Sequence, residues 1–321
     1  MSNLVKTGIK LCVSIGLIAY LFSQMALADL ADIFAQTQPG LFVGAVLFFV
    51  LSNCLGAVQW YLLLRAQDLP VSFRQALVFY FIGVFFNNVL LGNIGGDAMR
   101  IYDIRRLTGK ASGGVAATFM DRFIGLFSTC ALALMAYPLI AAVERVWLVS
   151  VLVPVLVGLM VVLAMGLSRR IGTVIEGLIV RLLPTTVAEL VGKLRQSIVV
   201  YRHRAGLLFA VWLISLGVQS SRILVYWMAG LALGMDPGLV YFACFQPVAA
   251  VLAALPISIG GLGVREGTLV GLFSSVGIGR ELATAMSLLG YVAGILASLL
   301  GGIAFVVRKI EPSAEASEDD A

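Results

Sequence analysis

Six stretches of this chain stay apolar for longer than a globular core requires: about 8–28, 40–64, 113–143, 147–167, 206–235 and 282–307. A helix of roughly 20 apolar residues crosses the hydrocarbon core of a bilayer. Charged residues make up only 12% of the 321 positions, against roughly 25% in a soluble domain. The sequence therefore specifies an all-α, polytopic membrane protein.

Two more stretches, about 76–96 and 239–280, are apolar but interrupted, and both interruptions carry one phrase. Ile94-Gly95-Gly96-Asp97-Ala98-Met99-Arg100 and Ile259-Gly260-Gly261-Leu262-Gly263-Val264-Arg265 each read I-G-G-x-x-x-R, 165 residues apart. Paired glycine breaks in corresponding halves of a membrane protein point to internal repeats with a substrate site between them. Gly95, Gly96, Gly260, Gly261 and Gly263 are the candidate hinges.

Lys and Arg concentrate in short cytoplasmic loops. They cluster at Lys6 and Lys10, at Arg65 and Arg74, and at Arg100, Arg105, Arg106 and Lys110. Seven more lie between 168 and 205, and Arg308 and Lys309 follow the last span. Placing all of these inside accounts for 17 of the 22 bases. Arg145 and Arg280 then lie outside, each beside a Glu, and Arg122, Arg222 and Arg265 lie at membrane depth. Stretch 76–96 must then enter from the cytoplasm and return to it, while 239–280 starts and ends outside. Broken backbone at that depth is tolerated where protein buries it or a wet cavity borders it.

The chain divides near Arg145. Residues 1–145 hold spans 8–28, 40–64 and 113–143 and the hairpin 76–96. Residues 146–308 hold spans 147–167, 206–235 and 282–307 and the hairpin 239–280. Three crossings per half give an inverted repeat of six full spans and two re-entrant helical hairpins; eight to ten ordinary spans without a repeat are the alternative. Residues 168–205 read as an amphipathic insert on the anionic leaflet, or as a plain connector. The acid-rich segment 309–321 reads as a disordered tail. Ala26-Leu27-Ala28 after an apolar core resembles a signal-peptide cleavage site, but the repeat needs this helix as a permanent span. Both termini are expected in the cytoplasm, in a multi-pass protein of the cytoplasmic membrane.

Chemistry is restricted to few residues. Cys12, Cys54, Cys130 and Cys244 lie in apolar runs without metal-ligand spacing, and His203 is the one histidine. No metal site, cofactor or histidine-based triad is expected. The excess of bases reads as topology and affinity for anionic lipid, with no nucleic-acid partner. No P-loop, G-x-S-x-G or H-E-x-x-H occurs. At the second break, Arg265 and Glu266 follow Ser258, and a helix starting there would aim its positive end at an anion. Alternatively, Arg265 and Glu266 neutralise each other and lock the turn. Around the first break, Asn87, Asn88, Asn93, Asp97 and Arg100 either face an interior cavity or cap their own hairpin. Asp121 and Arg122 are helix neighbours that cannot face the same way. Arg222 follows Gln219-Ser220-Ser221 deep in a span and has no adjacent acid, so its counter-ion is remote in sequence or a ligand. Tyr226 and Gln246 are weaker candidates.

Three ordered motifs carry a resemblance: Asn87 to Arg100, Asp121-Arg122-Phe123-Ile124-Gly125, and Leu255-Pro256-Ile257-Ser258-Ile259-Gly260-Gly261-Leu262-Gly263-Val264-Arg265-Glu266-Gly267. Together they resemble the lysylphosphatidylglycerol synthase transmembrane-region family, over about 5–308. The resemblance implies a two-hairpin, inverted-repeat lipid translocator. It does not imply the synthase activity, which belongs to a separate soluble domain in that family. Members without that domain are linked to varied lipids, including hopanoid and polyprenyl-linked compounds. The chain departs from the family at Leu91, where Pro is usual, and at Gln59 and Gly290, where Arg is frequent.

The expected function is translocation of a lipid or lipid-linked carrier. Membrane lipids (phospholipid, hopanoid or polyprenyl-linked) would be the partners. Arg100, Arg222 and Arg265 would hold phosphate, with Asn87, Asn88, Asn93 and Ser258 contributing. Asp97, Asp121, Arg122 and Glu266 would gate or couple to protons. The alternatives are an intramembrane transferase using one of those carboxylates as a base, and a non-transporting partner of a lipid-synthesis enzyme.

Overall fold

Inside a bilayer a backbone N–H or C=O must find its partner within its own segment, and helices achieve this. The computed structural model describes residues 34–89, 94–140, 142–167, 199–255, 258 and 261–308. Among them every regular element longer than one turn is an α-helix. The first four are α1 (Pro39–Arg65), α2 (Phe73–Val89), α3 (Ile94–Thr108) and α4 (Ser112–Ala136). Next come α5 (Ala142–Leu167) and α6 (Ala205–Ala232), then α7 (Leu239–Ala254), α8 (Val264–Ser275) and α9 (Arg280–Val307). The expected span 8–28, most of the insert 168–205 and the tail 309–321 lie outside the described residues.

Among the described residues four helices are long and apolar enough to cross a membrane: α1, α4 with its short 3-10 extension to Leu139, α6 and α9. They coincide with the spans expected at 40–64, 113–143, 206–235 and 282–307. The helices α2, α3, α7 and α8 have 17, 15, 16 and 12 residues. Each is short of the roughly 20 needed for one crossing.

The first hairpin extends further than its apolar pattern suggests. The sequence reading ended it at residue 96 and placed Arg100, Arg105 and Arg106 in a loop. All three are helical, in an arm that runs from Ile94 to Thr108. Asp97 stands in its first turn and Arg105 and Arg106 in its last, the polarity that the helix dipole favours.

Helices α1 and α6 pack side by side and run antiparallel. At one end the Gln38 N–H donates to the Ala232 carbonyl at 2.8 Å. At the other the Tyr201 hydroxyl donates to the Leu63 carbonyl at 3.2 Å. Midway the Arg222 Nε donates to Ser52 Oγ at 3.1 Å. Around this pair the remaining contacts follow an exchange rule. Swapping α1 with α6, α2 with α7, α3 with α8 and α4 with α9 carries each packed pair among these helices onto another packed pair. Thus α2 lies on α9 as α7 lies on α4, and α4 lies on α6 as α9 lies on α1.

The cytoplasm-facing charges expected at 100–110 and 308 meet in one ion pair. Arg308 donates through Nη1 to both Asp103 oxygens, at 2.7 and 2.8 Å, tying α3 to the end of α9. Asp103 is only 3% exposed, so this partner matters. Arg308→Ala is expected to lower stability by about 2 kcal/mol, because a buried carboxylate loses its donor. Adding Asp103→Asn should recover part of the loss, and thermal unfolding in detergent micelles would measure both.

Candidate functional site

The first hairpin closes through small residues. The Gly96 N–H donates to the Asn87 Oδ1 at 2.9 Å, across the turn from α3 to α2. A β-carbon at Gly96 would collide with the Gly83 carbonyl, so the two arms touch backbone to backbone. This contact fixes α3 and aims its first turn inward. Asn87 is therefore a hairpin cap. Asn88 is half-buried and makes no side-chain hydrogen bond among the described residues. Asn93 and Leu91 lie outside them.

One turn along α3, Arg100 is buried and doubly ion-paired. Its Nη2 donates to Asp97 Oδ1 at 2.6 Å, the i,i+3 neighbour on the same helix. Its Nη1 donates to Asp121 Oδ2 on α4 at 2.9 Å. The guanidinium carbon sits 4.9 Å from the Tyr80 ring centre and 5.2 Å from that of Trp60, within cation–π range. Trp60 is held in place by its Nε1, which donates to Thr118 Oγ1 at 3.2 Å. Asp121 also accepts from Gln59 Nε2 at 2.9 Å. Arg122 turns away from Asp121 and forks onto Asp97, with Nε to Oδ2 at 3.0 Å and Nη2 to Oδ1 at 2.9 Å. Asp121 and Arg122 thus have separate partners, yet Asp97 and Arg100 join them in one network.

The second tip is simpler. Gly263 caps α8 at φ +80°, and Gly261 has φ +76° with its backbone against Ala253. Both lie in the left-handed region that favours glycine. The Glu266 Oε2 accepts the Gly263 N–H at 2.7 Å, so the anion at this helix N-terminus is the protein's own. Glu266 Oε1 accepts from Arg265 Nε at 3.1 Å and Nη2 at 2.8 Å. The Arg265 guanidinium lies 5.0 Å from the Tyr291 ring centre. Ser258 is buried, and its hydroxyl has no partner among the described residues. Gly260 lies outside them.

Arg222 stands between the tips. On α1 its partner Ser52 lies one turn from Gly56, against which Tyr80 packs, and on α6 Arg222 itself lies one turn from Tyr226, which packs on Gly290 next to Tyr291, the ring under Arg265. Its one hydrogen bond among the described residues goes from Nε to Ser52, leaving both terminal nitrogens without an acceptor there. Tyr80 packs on Gly56 and Tyr226 on Gly290, in places where a β-carbon would fall 2.6 and 2.7 Å from ring carbons. The helical body thus contains a polar seam: Asp97, Arg122, Asp121 and Arg100, then Tyr80, Arg222, Tyr226, Arg265 and Glu266.

Both described departures from the resembled family acquire a physical setting. Gln59 uses its amide to hold Asp121, where a cation would add a second ion pair. At Gly290 any side chain must displace the Tyr226 ring. Gln246 is buried on α7. Among the described residues no group of three or more His, Cys, Asp and Glu could hold a metal ion. Outside the spans, burial pushes the Asp103 carboxyl above its usual range, and Arg308 pulls it partly back.

Sequence reasoning did not select Ser52, Trp60, Tyr80, Tyr291 or Asp103. Trp60 and Tyr80 have no local signal, because aromatic residues in apolar spans are ordinary packing residues. Ser52 and Tyr291 acquire meaning only from Arg222 and Arg265, which other helices supply.

The profile of a family described as lysylphosphatidylglycerol synthase TM region matches residues 8–302. Among curated relatives, a UPF0104 membrane protein of Methanothermobacter thermautotrophicus is 27% identical over 272 residues, 78% of each chain. A UPF0104 membrane protein of Pyrococcus horikoshii is 23% identical over 282 residues, 81% of this chain and 84% of the relative.

Proposed function

The chain belongs to the lysylphosphatidylglycerol synthase transmembrane-region family, and from that premise we propose that it translocates a lipid or lipid-linked carrier across the cytoplasmic membrane. In this reading six spans and two re-entrant hairpins form an inverted repeat, with both termini in the cytoplasm. The antiparallel α1–α6 pair, the exchange rule and the four short hairpin helices support that topology. The headgroup crosses between the hairpin tips while the acyl or prenyl chains stay in the lipid.

The observation that carries the reading is the seam from Asp97 to Glu266. Ionisable groups in an apolar helical body are costly and mark substrate or ion pathways. Here they join the two glycine-rich tips through Arg222. A headgroup phosphate at Arg222 can compete for Arg100 or Arg265, each of which must leave a carboxylate for a tip to open. The second tip gives up one ion pair in doing so, Arg265–Glu266. The first gives up pairs with Asp97 and Asp121 together. The second tip is therefore the easier gate. Asp97, Asp121 and Glu266 are the proton carriers if transport is coupled; otherwise it runs downhill. A transferase would need one of the same three carboxylates as a free base, and each already has an arginine.

Reconstitution into liposomes with leaflet-selective labelling tests the proposal. Protein-dependent transfer of an anionic phospholipid, hopanoid or polyprenyl-linked lipid is expected. Absence of transfer for all three classes would sink it, and co-purification with a lipid-synthesis enzyme would then favour a partner role.

A further inference from the structure

Helix α3 is held by charge at two places. Its first turn closes on α2 at Gly96 and is ion-paired to α4 through Arg100. Further along, Ile104 packs on Gly114 of α4. On its other side α3 reaches α9 through a side-chain bridge, from Arg308 Nη1 to the two oxygens of Asp103 at 2.7 and 2.8 Å. The two helices share at most a marginal backbone contact, whereas α9 packs extensively on α2. Among the described residues this bridge is therefore what ties the outer half of α3 to α9.

The two partners are not equally dependent on each other. Asp103 is buried, although Tyr102, Arg105 and Leu107 around it are exposed. As a carboxylate it needs a cation at that depth; as a neutral acid it can stay where it is. Arg308 is the C-cap of α9, and its guanidinium carbon lies 4.7 Å from the Phe305 ring centre. The carbonyl end of a helix and an aromatic face both favour a cation, and a long side chain at a helix end reaches water. Arg308 thus has another place to go.

We infer that Asp103 and Arg308 form a proton-releasable latch, and that one proton on Asp103 lets the outer half of α3 leave α9. The inference concerns how the arm moves and does not depend on the translocator reading. Arg106, on α3 itself, adds its attraction to that of Arg308. From α4 come Asp121 and Arg122, and from α2 Tyr80, all of which face the Asp97–Arg100 network one turn back. Arg74 on α2 is exposed. The other titratable groups of α9, Arg280, Glu281 and Tyr291, lie 17 residues or more before Arg308, about 25 Å along the helix. Burial raises the Asp103 carboxyl above its ordinary value by more than the arginines lower it. The folded carboxyl then keeps its proton to a higher pH than the unfolded one. As the pH falls through that interval the bridge is lost, while this group does not weaken the fold. The latch opens in acid without unfolding.

The test uses the full chain in nanodiscs, with its four cysteines changed to alanine. Spin labels are attached through Leu107→Cys on α3 and Val306→Cys on α9, both exposed positions. Dipolar electron paramagnetic resonance reads their separation at about pH 8 and about pH 5, the range above an ordinary carboxylate. A short-distance population is expected at the higher pH. At the lower pH a longer-distance population should grow at least about threefold. Asp103→Asn, which fixes the neutral form, should show the longer population at both pH values and respond no further. Arg308→Gln breaks the latch from its exposed side and should show the longer population at the higher pH. Arg308→Lys, which keeps the charge, should respond to pH as the wild type does.

A wild-type separation that ignores pH would overturn the inference. So would an equal pH response in Asp103→Asn, which would assign the change to another carboxylate. Thermal unfolding at both pH values completes the test: a wild type that loses stability in step with the distance change is loosening generally, and the latch is refuted. Lipid transfer enters none of these measurements. A chain that moves no lipid refutes the translocator reading and leaves the latch standing, and a pH-blind distance does the reverse.

Discussion

Arg100→Leu is expected to destabilise the protein by about 3–5 kcal/mol, the usual consequence of removing one side of a buried ion pair. Asp121 is 8% exposed and would keep only Gln59 as a donor among the described residues. Asp97 would keep Arg122, which forks onto both of its oxygens. The stacks on Trp60 and Tyr80 would also vanish. Folded proteins hold only about 5–15 kcal/mol in reserve, so the yield of folded protein in the membrane should fall visibly. Arg100→Lys separates charge from geometry. A lysine keeps the charge but has no planar fork to bridge two carboxylates, so an intermediate loss is expected. Adding Asp121→Asn to Arg100→Leu should restore part of the loss, because the orphaned charge disappears with it. Chemical unfolding in detergent would measure the series. A leucine variant as stable as the wild type would mean that the network is ornamental.

Four of the six expected spans were legible because their determinant is one-dimensional. Apolar run length sets whether a helix can cross, and α1, α4, α6 and α9 follow the runs closely. The tips were legible because a double glycine within an apolar stretch has few other uses. Charge pairing was legible only at short range. Arg265 and Glu266 are adjacent, and their mutual neutralisation could be proposed from the string; the Asp97–Arg100 pair lies three residues apart on one helix. Arg100 was counted with the cytoplasmic bases because Arg105, Arg106 and Lys110 follow it, and was also placed at the first break, facing a cavity or capping its hairpin. Its burial depends on Asp121, which α4 brings in from 21 residues away. Asp103 and Arg308 are 205 residues apart, and nothing local to either announces the other. Arg222 is the converse: the absence of a neighbouring acid was readable, and among the described residues the fold supplies it with Ser52. Pairing is a property of packed helices in three dimensions, so one sequence places the charges and leaves their partners open.

The second large effect is expected at the first tip, where Gly96→Ala should cost about 3 kcal/mol or more. A methyl group there meets the Gly83 carbonyl, a backbone atom that cannot rotate aside, and lies 2.6 Å from the Asn87 Cγ. Overpacking of this kind costs about 1–3 kcal/mol, occasionally more. Displacing Asn87 also removes its bond from the Gly96 N–H, worth about 1 kcal/mol. The larger consequence is positional. Asp97 and Arg100 sit one and four residues further along α3, and a shifted arm moves both away from Asp121 and Arg122. Under the proposed translocator function, lipid transfer should therefore fall more steeply than stability, since a site loosened by about 1 Å loses function before the fold is lost. Gly267 on α8 is the matched control, because a β-carbon there meets nothing within 4 Å. Gly267→Ala should be neutral or stabilise by up to about 1 kcal/mol, through helix propensity alone. Measuring unfolding and lipid transfer for the two alanine variants side by side separates close packing from the general cost of losing a glycine. If Gly96→Ala behaves like Gly267→Ala, the backbone contact between the hairpin arms is not what requires glycine at the tip.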